Sequence, residues 1–351
     1  MSDSPPSVLI LAGGYGTRMR PLTFTRSKPL IEFCNVPLIQ YLLDASLKVK
    51  CKSIIVSINK CHHDVVLFVK QYSEKHPEVE IHFSIEDEES GTAGAIFKAK
   101  DFIGTNRFIV LSCGCLTSFP LAELIDFHIK HKSEATLLSA RVEDCFFLNV
   151  IEEDEHGTIT AFNDKPSSKK KNCLVHAGCA IFEPEFINRI TDEHCELGND
   201  LLSKLIPENK IFAYEHPGVY INFAEMQDLI SGISYYAKDK SVVVDSTAKV
   251  DSTAQLGDCV VIGPNCVIGP NTKLDHCVIY SSSSIGSNCV INNSIIGWKN
   301  KIGDNVIITD MSVLAEKVTV HSDTELSQFY ISPYKTVNAS NAFITLAKVI
   351  I

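Results

Sequence analysis

The sequence has no apolar run approaching the roughly 20 residues that a membrane-spanning helix needs. It has no C-x-x-C pair, and its 13 cysteines are odd in number and set among small or apolar neighbours. Those absences exclude a thioredoxin-like motif and a fully paired disulfide framework, and predict buried free thiols in a reducing compartment. Cys113 and Cys115 flank Gly114, but no further ligand stands at metal spacing, so both read as buried strand cysteines. Positive charge is also scarce: the formal net charge is −10, which argues against general affinity for nucleic acid or an anionic membrane. The one basic run, Lys169 to Lys171, sits beside serines and reads as a solvated loop. The opening MSDSPPS is polar and carries no signal-peptide pattern. Together these features predict a cytoplasmic location.

What is present falls into two rhythms, and 351 residues suffice for two cores. Residues 1–235 alternate short apolar runs (8–13, 53–59, 80–86, 107–113) with helical patterns (37–49, 62–75, 93–102, 120–132). Such alternation predicts a doubly wound, mostly parallel α/β sheet, a Rossmann-like domain that binds ligands beyond the carboxyl ends of its strands. Residues 236–351 follow another period. Val244, Val250, Leu256, Ile262, Ile268 and Leu274 recur every six residues; the register slips, then resumes with Ile285, Ile291, Ile296, Ile302, Ile308, Leu314 and Val320. Glycine follows several of them. A hexapeptide period predicts a left-handed parallel β-helix, each short strand sending one aliphatic side chain inward. Its open ends predict capping or oligomer contacts.

Residues 9–29, LILAGGYGTRMRPLTFTRSKP, run from the first apolar strand into a glycine-rich turn. Free N–H groups in such a turn make an anion nest, and Arg18 and Lys28 supply charge for a polyphosphate. The order G-G-x-G-T-R-x-x-P-L-T then K-P, with KPLIEFCNVPLI (28–39), SGTAGAI (90–96), FNDKP (162–166), HAGCAIF (176–182) and SIIGWKNKIGD (294–304), resembles the sugar-nucleotide pyrophosphorylases. The similarity covers nearly the whole chain and points to the GDP-mannose pyrophosphorylase (mannose-1-phosphate guanylyltransferase) family in its β-type form. In that family a sugar phosphate oxygen attacks the α-phosphorus of a nucleoside triphosphate and pyrophosphate leaves. The resemblance implies that Leu11, Ala12 and Gly13 lie against the base. It implies that Gly14, Gly16, Thr17, Arg18 and Lys28 meet the phosphates, that Gly91 and Thr92 shape the base pocket, and that Asp164, Lys165 and Gly178 stand near the sugar phosphate.

Several positions depart from the pattern. The family's two Mg²⁺-binding aspartates align with Gly114 and Asn222. Its Tyr-Gly pair reads Phe147-Leu148, its Asn-Ala-Gly reads His176-Ala177-Gly178, and the leucine of its L-G-T-A-G is Ser90. Asp126, Asp144 and Asp164 are the nearby carboxylates by sequence. A catalytic cation supplies several kcal/mol, so losing its anchors costs orders of magnitude in rate. The expectation is a catalytically impaired homologue that binds a guanine nucleotide or GDP-sugar. It would form a homo- or hetero-oligomer with an active pyrophosphorylase, as a regulatory or structural subunit. The alternative is an active guanylyltransferase, and Mg²⁺ is required only in that case. A third reading, a structural subunit like those of a translation exchange factor, is opposed by the intact phosphate loop.

Overall fold

The computed structural model describes residues 5–145, 148–163, 171–191, 193–236, 241–338 and 349–350. Two compact units form. One comprises the chain up to Gly14 together with Ile39–Asn222, and the other comprises Tyr15–Leu38 and Phe223–Ile351. Tyr15–Leu38 and the helix Gln227–Tyr236 thus group with the C-terminal repeats.

The first unit opens with β1 (Ser7–Leu11), α1 (Leu38–Lys48), β2 (Ser53–Asn59), α2 (His63–Lys75), β3 (Glu80–Glu86), α3 (Gly91–Lys98) and β4 (Phe108–Ser112). The strands lie in the order β3-β2-β1-β4, all parallel. The apolar runs of β1, β2 and β4 are continuous because both faces are covered; Val8, Leu9 and Ile10 are all fully buried. After β5 (Cys115–Thr117) and α4 (Leu121–His131) the sheet changes character. β6 (Ala135–Asp144), β7 (Val150–Glu153), β8 (Ile159–Asn163) and β9 (Lys171–Phe182) pair antiparallel, with β9 joining β4, β6 and β7. β10 (Ile211–Glu215) adds to β6 in parallel, and β11 (Tyr220–Asn222) pairs with β5. The sheet is thus mixed rather than mostly parallel. Strand and helix alternation ends near residue 135, and hairpins take over.

One cysteine expectation is overturned. Cys145 and Cys173 form a disulfide across 28 residues of sequence, because Cys145 follows β6 and Cys173 opposes Val142 on β9. Of the other eleven, Cys113, Cys179, Cys259, Cys266, Cys277 and Cys289 are buried as expected, whereas Cys34, Cys51, Cys115 and Cys195 are half-buried and Cys61 is exposed; Cys115 lies on β5, and Cys113 lies in the turn after β4. Among the described residues no helix is long and apolar enough to cross a membrane.

In the second unit, α5 (Gln227–Tyr236) precedes a parallel β-helix. Lys249 pairs with Val267 and Leu256 with Leu274, eighteen residues on, whereas Ile262 pairs with Ile279 and Ile268 with Ile285, seventeen on. The slips in the hexapeptide series are two such shortened coils, since Ile279 in turn pairs with Ile296, again seventeen on. Ile262, Ile268, Leu274, Ile285, Ile291, Ile302, Ile308, Leu314 and Val320 fill one apolar core. Val244 does not: it is 41% exposed, and Val242 packs on the core of the first coil. At the corners Asn271, Asn288, Asn305 and Asp323 adopt positive φ, and each asparagine amide donates to the next side chain at 2.9–3.3 Å. Short polar side chains tolerate that backbone and bond locally, which is why they punctuate the repeat.

Candidate functional site

β1 ends where the strand order reverses, between β2 and β4, the expected place for a ligand crevice. The Leu11 carbonyl accepts the Cys113 N–H at 3.2 Å, and the Ala12 N–H donates to the Ser57 carbonyl at 2.8 Å. Both neighbouring strands therefore hold the chain as far as Ala12 and release it at Gly13. A Cβ placed on Gly13 would stand 3.1 Å from Glu86 Oε1. Glu86 closes β3, is buried, and accepts hydrogen bonds from the Ser57 and Ser90 hydroxyls, both at 2.6 Å. Sequence reading missed Glu86. The available signal was a carboxylate ending an alternating strand at the carboxyl edge of the sheet, four residues before Ser90. An ionised carboxylate accepts about four hydrogen bonds, so acceptor capacity remains beyond the two serines. That is the complement of a donor-rich edge such as the N1–H and exocyclic amine of guanine.

Gly91 and Thr92 begin α3. The Thr92 hydroxyl donates to Glu196 Oε2 at 2.8 Å and accepts the Leu197 N–H at 2.9 Å, while the Ala93 and Gly94 N–H groups donate to the Cys195 carbonyl. The first turn of α3 is thus satisfied by residues 195–197. The Thr92 hydroxyl is thereby engaged both as donor to Glu196 and as acceptor from Leu197.

Gly14 is exposed, and the next residue begins the second unit. There Gly16 has φ +63°, and a Cβ on it would lie 2.8 Å from Lys28 Cβ, so only glycine fits this turn. Its carbonyl accepts the Met19 N–H at 3.0 Å and the Thr23 hydroxyl at 2.8 Å. Met19 is buried and anchors the turn, leaving Thr17 and Arg18 exposed. The Lys28 ammonium donates to the Phe223 carbonyl at 2.6 Å. It also interacts with the carboxyl of Asp228, which burial pushes up and the Glu225 and Ala224 N–H groups and Lys28 draw back. Leu11–Gly14, Gly91 and Thr92 therefore belong to the first unit, and Gly16, Thr17, Arg18 and Lys28 to the second.

Gly114, Asn222 and Gly178 all meet Cys115 or its neighbours within the first unit. The Gly114 N–H donates to the Ser112 hydroxyl at 3.1 Å. Asn222 pairs with Cys115 across the β5–β11 ladder, and the Cys115 thiol donates to Asn222 Oδ1 at 3.7 Å. Gly178 has φ +70°, and a Cβ there would stand 2.9 Å from Cys115 Sγ. A hard divalent cation takes several oxygen ligands and one or more carboxylates. One amide oxygen already accepting a thiol, beside a glycine, does not fit Mg²⁺. Among the described residues no group of three or more His, Cys, Asp or Glu is placed to hold a metal ion.

Leu148 packs with Tyr220 onto an apolar cluster of Cys145, Val150, Cys173 and Val175. Tyr220 in turn places its hydroxyl 4.0 Å from Cys115 Sγ, so this cluster abuts the Cys115–Asn222 pair. Asn149, His176 and Ser139 follow one another across β7, β9 and β6, each with a buried polar atom lacking a hydrogen-bond partner. Burial pushes the His176 imidazole down to about 4, against a backbone hydrogen bond at Leu138, so the ring is neutral at pH 7. Phe147, Asp164 and Lys165 lie outside the described residues.

The Nucleotidyl transferase family matches over residues 7–224, and the family described as GMPPB C-terminal domain over 239–345. The mannose-1-phosphate guanylyltransferase catalytic subunit beta of Xenopus tropicalis is 30% identical, covering 95% of this chain and 97% of that protein. The chain belongs to the nucleotidyl transferase family, on its mannose-1-phosphate guanylyltransferase branch. The mannose-1-phosphate guanyltransferase of Yarrowia lipolytica is 32% identical with the same coverage. The Drosophila melanogaster catalytic subunit beta is 31% identical over 230 residues, which span 65% of this chain and 62% of that protein. A putative glucose-1-phosphate thymidylyltransferase from Bacillus anthracis shares the fold, with TM-score 0.58 and 21% identity over 64% of this chain and 93% of that one. The nucleotidyl transferase match takes in Leu11–Lys28, Gly91, Thr92, Gly114, Gly178 and Asn222.

Proposed function

We propose that this guanylyltransferase-branch protein holds a guanine nucleotide or GDP-sugar without turning it over at enzyme rates, and acts in the cytoplasm as a regulatory or structural subunit beside an active pyrophosphorylase. The observation that carries the reading is the Cys115–Asn222–Gly114 group, where the chemistry of transfer calls for anchored positive charge and the chain offers a thiol, an amide and no side chain. The turn at Gly16, exposed Arg18 and buried Glu86 support retained nucleotide binding. The intact coil supports assembly, since a β-helix presents open ends. The unpartnered atoms of Asn149, His176 and Ser139 support a polar ligand portion such as a hexose.

Calorimetry with GTP and GDP-mannose, together with co-purification with an active paralogue, tests this reading. Absence of both binding and partner would sink it. The second reading, an active mannose-1-phosphate guanylyltransferase using Mg²⁺, is favoured by 30% identity to catalytic subunits across 95% of the chain. Pyrophosphate release from GTP and mannose 1-phosphate separates the two.

A further inference from the structure

The strap Tyr15–Leu38 carries four of the five predicted phosphate residues, Gly16, Thr17, Arg18 and Lys28, yet it packs within the same compact unit as the β-helix. Its attachment is specific. Trp298 Nε1–H donates to both oxygens of Glu32, at 3.2 and 3.1 Å. Arg26 donates to Glu32 Oε1 at 3.2 Å and lays its guanidinium 4.0 Å over the Trp298 ring. Tyr280 stacks on Trp298, with centroids 4.6 Å apart, and its hydroxyl donates to the Glu32 carbonyl at 2.9 Å. One coil earlier, the Asn35 side chain donates to the Ile262 carbonyl at 3.0 Å. Three successive coils therefore grip one short hairpin, Glu32–Phe33 against Val36–Pro37.

Trp298 is fully buried. A half-buried carboxylate with its donors removed is costly, and the cation–π contact adds to the hold on Arg26. The geometry thus fixes Arg26. Two residues on, Lys28 presses its Cβ against Gly16 at the phosphate turn. Contacts thus run from the coil through Glu32 to Arg26, and two residues of chain join Arg26 to Lys28 beside Gly16.

We propose that Trp298 and Glu32 are positioning residues that set the shape of the phosphate strap from the β-helix, so that nucleotide occupancy of the strap and the state of the coil are coupled. This rests on the reading that the strap holds nucleotide. Coupling of this kind is reciprocal: what loosens the grip weakens the ligand, and the ligand changes the surroundings of Trp298.

The test uses the full chain. Trp298 is the sole tryptophan, so its emission reports the junction directly. Saturating GTP is expected to shift wild-type emission with the same midpoint as calorimetry. Glu32→Gln keeps an acceptor for the indole N–H and is expected to bind GTP within about threefold of wild type, whereas Glu32→Leu weakens binding about tenfold or more. Emission indifferent to saturating GTP, or Glu32→Leu binding as tightly as wild type, overturns the proposal. If the wild type binds no GTP, the nucleotide reading fails, and coupling is judged by hydrogen exchange. Faster exchange of amides 16–31 in Glu32→Leu than in Glu32→Gln, with β1 unchanged, supports the positioning role; equal exchange in the two variants overturns it.

Discussion

The Cys115 thiol points at the side-chain oxygen of Asn222, 3.7 Å away, across a two-stranded ladder. Cys115 directly follows Gly114, and the proposed function rests on Gly114 and Asn222 offering no charged side chain where a cation would be anchored. Restoring charge is the direct experiment. The double variant Gly114→Asp with Asn222→Asp is expected to gain Mg²⁺ affinity in titration calorimetry and to raise Mg²⁺-dependent pyrophosphate release about 100-fold or more. Unchanged release and unchanged Mg²⁺ binding would show that these positions are not the defect.

Leu148, standing where the family's Tyr-Gly pair has glycine, gives a second test separable from the first. It packs on the Cys145–Cys173 cluster with Tyr220, so Leu148→Gly should cost about 1–2 kcal/mol in urea unfolding, less than a fully buried leucine. Placed in the double variant, it should lower the KM for mannose 1-phosphate rather than raise kcat. A change in kcat alone would put Leu148 outside the sugar site.

Glu86 supplies the base prediction. Its acceptor oxygens beside Gly13 suit guanine over adenine. Glu86→Gln replaces one acceptor with a donor and should weaken GTP by about tenfold while leaving ATP binding unchanged, read by calorimetry. Parallel losses for both nucleotides would remove Glu86 from base recognition.

Stability should fall in mild acid. His128 is fully buried, and its imidazole is pushed down from 6.5 to about 4 by burial and by Arg107, against the pull of Glu183. The unfolded chain takes up this proton below pH 6.5, and the folded chain does so only near 4. The associated stability is complete above 6.5 and is lost progressively as pH falls toward 4, in all about 3 kcal/mol. His176 acts with the same sign. Urea midpoints at pH 7 and 5 check this, and His128→Gln should flatten the dependence.

Much of this architecture stands open in the sequence, for identifiable reasons. The coil announces itself because Ile262, Ile268 and Leu274 all face one core. The four parallel strands are marked by apolar runs such as 53–59, which the structure reproduces as Ser53–Asn59. Long-range consequences stay hidden. Nothing in the local pattern ties Glu32 to Trp298, Cys145 to Cys173, or Glu86 to Gly13, because each pair meets only after strands or coils have stacked. The division of the phosphate residues between two compact units is hidden for the same reason: Tyr15–Leu38 looks continuous with the first strand and packs with the last domain.

The central claim is that nucleotide is held and not turned over. Steady-state pyrophosphate release from GTP and mannose 1-phosphate with Mg²⁺, at nucleotide concentrations that calorimetry shows to saturate the protein, tests it most directly. The account predicts saturation with release at least 100-fold below the roughly 1–1,000 s⁻¹ of ordinary enzymes. Release within that range would contradict it.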